Sequence, residues 1–127
     1  MTRFLLVAAG GALGSMARYG LGLAATRLAP GAGWPWGTFG ANLLGGLAMG
    51  LLAGWLAQRG AGAERLHLLL GVGLLGGFTT FSAFSLETAL MLERRDYGAA
   101  AVYVGLSVVL AVAALWIGLT LARKAFA

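Results

Sequence analysis

Long apolar runs alternate with short polar breaks along this chain. The runs cover about residues 4–28, 36–57, 66–92 and 99–122. A helix needs about 20 residues to cross the hydrocarbon core of a bilayer, and each run reaches that length. The pattern therefore predicts an all-α membrane protein with four transmembrane helices. The breaks, residues 30–35, 58–65 and 93–97, are all short, so consecutive helices are expected to be antiparallel neighbours. Residues 1–127 then form a single transmembrane domain, with no run left over for a soluble one.

Composition agrees with the pattern. Hydrophobic residues make up 60% of the chain and charged residues only 10%, against about 25% charged in a typical soluble domain. Glycine is abundant, at 22 of 127 residues, and small residues are what close helix packing in lipid requires. There is no cysteine, and the single histidine, His67, cannot build a metal site alone. The net charge of +5 does not point to nucleic acid, because the basic residues gather at the ends of the apolar runs, where lipid headgroups lie. Arg3 ahead of an apolar run resembles the start of a signal peptide, but the glycine-rich continuation and the embedded Arg18 fit a cleaved leader poorly. Trp34, Trp36, Trp55 and Trp116 stand toward the ends of the runs, as an interfacial aromatic belt would place them.

Loop charge bears on orientation. Four spans put both ends and the middle break on one side, with Arg3, Arg59, Arg65, Arg123 and Lys124. The other side holds Arg27, Arg94 and Arg95. A bias of five to three is weak, and both insertion with the ends inside and insertion in both orientations are compatible with it.

Polar residues inside the spans mark the functional surface. In the first, Gly10, Gly14, Arg18 and Gly22 recur at steps of four and share a face. A charge such as Arg18 costs about 2.5–3.5 kcal/mol at mid-span, so it is expected to be paired or to face a wet cavity. In the second, Thr38, Asn42, Gly46, Gly50 and Gly54 share a face, with glycines for packing and Asn42 and Thr38 as hydrogen-bonding groups. In the third, Gly76-Gly77 is followed at once by Phe78-Thr79-Thr80-Phe81-Ser82-Ala83-Phe84-Ser85. That combination predicts a helix broken in mid-membrane at the glycine pair. Such a break is tolerated only where it is buried in protein, faces water or binds an ion. Carbonyls freed there suit a cation. Phe81 and Phe84 lie near one face beside Ser82 and Ser85. In the fourth span Tyr103 and Ser107 are one turn apart. Glu87 is expected to pair with a base, to stand at a pathway mouth or to sit solvated at headgroup level.

Three ordered motifs, Gly10–Tyr19, Gly37–Gly45 and above all Gly76–Ser85, resemble the Fluc (CrcB) family of fluoride channels over essentially the whole chain. The resemblance implies an antiparallel dual-topology homodimer in a bacterial inner or plasma membrane, with two pores that pass fluoride passively and a structural sodium ion at its centre. It implies that Asn42, Phe81, Phe84, Tyr103 and Ser107 line the fluoride path, with Thr38, Thr80 and Ser82 beside it, and that the carbonyls of Gly76 and Thr79 hold the sodium. Ala83 stands where the family often has a hydroxyl residue and is given no role. The residues suit a small, strongly hydrated anion. Amide and hydroxyl donors replace its water, and aromatic rings are positive at their edges. The five-to-three charge balance and the glycine faces of the first two spans are the sequence grounds for the antiparallel dimer.

The alternative reading is a small dual-topology, proton-coupled drug exporter, which needs a carboxylate in the middle of its first helix; this first span has none. A structural assembly subunit explains the glycine stripes but not a broken third span. An enzyme lacks its parts, since no span carries paired carboxylates for acid-base work.

Overall fold

The computed structural model describes residues 1–127. It is all helical. Helix α1 spans Thr2–Leu28 and α2 spans Trp36–Leu56. The third span begins with α3 (Ala63–Leu66), continues as a π-helical stretch (His67–Leu75) and ends its first half with α4 (Gly76–Phe78). After a break at residues 79–81, α5 (Ser82–Glu93) resumes it, and α6 (Tyr97–Ala125) is the fourth span. Four helical stretches are long and apolar enough to cross a membrane, the third of them Ala63–Glu93. The spans start or end up to three residues away from the sequence limits, because amphipathic ends such as Ala63-Glu64-Arg65 stay helical beyond the apolar run.

The break in the third span is real but lies three residues later than expected. Gly76 and Gly77 remain helical. Their lack of a side chain serves close approach: a Cβ on Gly77 would sit 2.7 Å from the Gly11 carbonyl oxygen and 3.1 Å from its Cα. The helix stops where side chains supply substitute hydrogen bonds. Thr79 is extended, with φ −81° and ψ 155°, and its Oγ1 donates back to the Leu75 carbonyl at 2.8 Å. Thr80 Oγ1 accepts from the Ala83 N–H at 3.2 Å, which caps the start of α5 as a threonine at a helix N-terminus does.

Two helix pairs dominate the packing, and they are not the pairs that follow each other in sequence. Helix α2 lies along α6, and α1 lies along the π-helical stretch and α4. The glycine stripes make both contacts. Gly10 and Gly14 press on the Leu69 and Leu74 carbonyls. Gly50 presses on the Leu115 carbonyl, and Gly118 returns the contact at Leu47. Gly46 rests against Ala111, and Gly54 against Leu119 and Ala122. Apart from Gly22 at the end of the first stripe, the glycine faces are thus filled by the protomer's own helices and are not free to serve as a partner surface. The reason is geometric: a stripe without side chains suits any backbone, and the third span occupies that of α1 while the fourth occupies that of α2.

The ends carry the charges. Arg3 pairs with Glu64 at 3.1 Å on the exposed side, and the Arg59 guanidinium lies 4.0 Å over the Trp55 ring. Between α5 and α6, the Arg95 N–H bonds the Leu92 carbonyl and the Asp96 N–H bonds the Met91 carbonyl, with Arg95 in a left-handed conformation, φ 58°.

Candidate ion pathway

Asn42, one and a half turns into α2, reaches the break. Its Nδ2 donates to the Thr80 carbonyl at 3.0 Å, and its Oδ1 accepts from the Thr80 N–H at 2.8 Å. One amide side chain therefore satisfies both backbone groups of a residue that helix geometry has left unpaired, in a place where lipid offers nothing. The second hydrogen on Nδ2 stays available. The clamp also redirects the helix ladder. Thr80 N–H would have gone to the Gly76 carbonyl, and Ala83 N–H to the Thr79 carbonyl. Both donors are engaged elsewhere, so these two carbonyls lose their helical partners. Arg18 reaches the same segment from α1, its Nε donating to the Gly77 carbonyl at 3.3 Å. It is half-buried and paired with backbone rather than with an acid.

A groove of about 580 Å³ runs beside the break. Asn42, Thr80, Phe81, Phe84 and Ser107 give it its chemistry, and no charged residue lines it. Ser107 Oγ is buried without a hydrogen-bond partner, which in a protein interior calls for an occupant or water. Phe84 is buried and Phe81 is 78% exposed on the protomer, their ring centroids 5.7 Å apart. Gly76, Thr79 and Gly46 complete the wall near the break. Ser82 lies outside the lining and contacts Thr80, Oγ to Oγ1, at 3.3 Å.

One turn along α5 from Phe84, Glu87 pairs with no base. Its two carboxylate oxygens accept from Thr38 Oγ1 at 2.8 Å and from the Tyr103 hydroxyl at 2.7 Å. Tyr103 is fully buried, so its O–H is committed to Glu87 rather than free for a passing anion. Glu87 and Thr38 also line a second cavity, about 310 Å³, under the turn between α1 and α2. An unbroken series of rings follows: Phe84 to Tyr103 at 5.2 Å, Tyr103 to Trp34 at 5.2 Å and edge-on, Trp34 to Phe39 at 5.4 Å. Trp34 is therefore half-buried against the core, with Nε1 buried and unpartnered, and not simply a member of an interfacial belt. The sequence reading missed Phe39 and Gly45. A Cβ on Gly45 would collide with the Thr79 methyl, a contact between two spans that no local pattern announces.

Comparison with known proteins bears on this geometry. Residues 5–119 match the family described as CrcB-like protein, Camphor Resistance (CrcB). A protein of Phenylobacterium zucineum named fluoride-specific ion channel FluC is 66% identical, with all of both chains covered. Its namesake from Caulobacter sp. strain K31 is 63% identical over 99% of this chain and 98% of its own. One from Paracoccus denitrificans is 54% identical over 98% of this chain and 97% of its own. With the family match and four helices able to span a bilayer, this chain is a multi-pass membrane protein of the CrcB-like family.

Proposed function

We propose that this protein is a fluoride-selective channel, passing the anion passively out of a bacterial cell, and that it works as an antiparallel, dual-topology homodimer with one path in each groove. The observation that carries the reading is the uncharged groove beside the break, lined by Asn42, Ser107 and two phenylalanines. Relatives covering the whole chain bear the name of fluoride-specific channels. Fluoride is small and holds water tightly, so a path must offer close donors. The free N–H of Asn42 and the unpartnered Ser107 hydroxyl supply them, and the edges of Phe81 and Phe84 add weak positive contacts. Weak contacts at several sites let an ion leave as well as enter. Thr80 and Ser82 extend the polar surface beyond Phe81. Tyr103, Thr38 and Glu87 are bonded to one another outside the groove, one turn beyond Phe84.

A second copy is part of the proposal, because the groove opens along one side and a polar path cannot face lipid. A sodium ion on the dimer axis is proposed as well. The Gly76 and Thr79 carbonyls are hard oxygens without their helical donors, and two copies would present four. The ion's role is structural, to satisfy these oxygens where lipid does not.

The test is fluoride efflux from liposomes holding the purified protein, with chloride as control. Rapid fluoride loss and negligible chloride loss are expected. Equal efflux of both ions, or none of either, would sink the proposal.

A further inference from the structure

We infer that Gly45 of α2 is a positioning residue for the break in the third span: lacking a Cβ, it admits the Thr79 methyl, and this seats Thr80 on the Asn42 clamp that keeps the Gly76 and Thr79 carbonyls free. The inference rests on the cation reading above.

Gly45 is buried, and it lies three residues after Asn42 on the same face of α2. The site of its missing Cβ is occupied by Thr79 Cγ2, with the Phe78 ring at 3.4 Å. Thr79 is ill placed to turn aside. It is β-branched and stiff at χ1, and its Oγ1 is tied to the Leu75 carbonyl. An added methyl must therefore either break that bond or push residues 78–80 away from α2. The Asn42 bonds to Thr80, at 2.8 and 3.0 Å, do not survive a retreat of an ångström, because hydrogen bonds weaken steeply beyond about 3.2–3.5 Å. Once Asn42 releases it, the Thr80 N–H is free to return to the Gly76 carbonyl, its partner in a continuous α-helix. That closes one ligand. Gly45 thus controls a cation site whose ion it never touches.

The experiment measures the melting temperature of the purified full-length protein against sodium concentration, with ionic strength held by a bulky organic cation. The parent should be stabilised as sodium rises. Gly45→Ala should need about tenfold more sodium for half of that effect, a shift in line with overpacking of a tight contact. The decisive variant is Gly45→Ala with Thr79→Ser. It moves one methyl across the contact while keeping the residue 79 carbonyl and hydroxyl, and it should return to within about twofold of the parent. A glycine serving only general packing would lower the melting temperature equally at every sodium concentration, and that result overturns the inference. So does a double variant that fails to recover. Should Gly45→Ala not fold, the double variant decides alone: it must fold and respond to sodium like the parent. A parent indifferent to sodium removes the cation reading itself, an outcome distinct from a sodium-responsive parent whose variant is unshifted.

Discussion

Phe81 and Phe84 sit one turn apart and differ in what holds them. Phe84 is buried against Tyr103, while Phe81 projects from the protomer. Replacing either with isoleucine keeps an apolar side chain and removes the positive ring edge. Phe81→Ile should leave the protomer's stability within about 0.5 kcal/mol, as for other exposed positions, yet reduce fluoride efflux. Phe84→Ile should reduce both. Efflux assays beside melting curves and gel filtration separate the effects. Parent-like fluoride efflux in both variants, with dimers intact, makes the rings mere packing. Glu87 offers a second test at this scale. Tyr103→Phe removes one of its two donors and leaves a half-buried carboxylate oxygen unpaired, a loss of about 1 kcal/mol. The melting temperature reports it, and an unchanged value would mean that water replaces the hydroxyl. These partners could not be read from the sequence. Asn42, Tyr103, Ser107 and Glu87 stood out as polar groups in apolar runs. That Glu87 joins Thr38 to Tyr103 depends on three spans meeting, which spacing within one span does not encode.

Close backbone contact holds the two helix pairs together. Gly50 is the tightest point between α2 and α6, where a Cβ would overlap the Leu115 carbonyl, an atom that cannot rotate away. Gly50→Ala should therefore force the helices apart and cost about 1–3 kcal/mol. Gly22, at the end of the first stripe, faces open space at its own Cβ position, and Gly22→Ala should be tolerated or slightly stabilising, since alanine favours a helix by about 1 kcal/mol over glycine. Comparing the two melting temperatures tests whether contact or composition explains the glycines. The spans themselves were legible from hydropathy, because lipid demands about 20 apolar residues whatever the partners. The break was legible in kind but displaced in position. Glycine and hydroxyls both break helices, and only the arrival of α1 at Gly77 and of Asn42 at Thr80 decides which of them does so here. The π-helical stretch at His67–Leu75 packs along α1 and left no mark in the pattern, since its apolar and glycine residues read the same in an ordinary membrane-spanning helix.

For the whole molecule, the proposed dual topology rests on a weak charge bias, and the turn between α5 and α6 gives it a handle. Arg95 occupies the left-handed position of a helix-ending motif in which the next N–H reaches back to Met91. Glycine is the usual residue there, because a side chain costs about 1–2 kcal/mol in that conformation. Arg95→Gly should therefore raise the melting temperature. The same change removes one of the three basic residues on its side of the membrane, so the balance shifts from five against three to five against two. If orientation is as marginal as that balance implies, insertion becomes one-sided. Antiparallel pairs then grow scarce and fluoride efflux per cell falls, although each protomer is more stable. Arg95→Lys separates the causes: it keeps the charge and the strain, and should behave like the parent. Co-expressing the Arg95→Gly chain with a copy carrying extra lysines in the turn between α5 and α6, and so biased the opposite way, should restore efflux. Tags on the two ends, read for accessibility from each side, supply the direct measurement. Tags of the parent found on one side only would end the dual-topology proposal, and a gain in stability with undiminished efflux would show that Arg95 has no part in setting orientation.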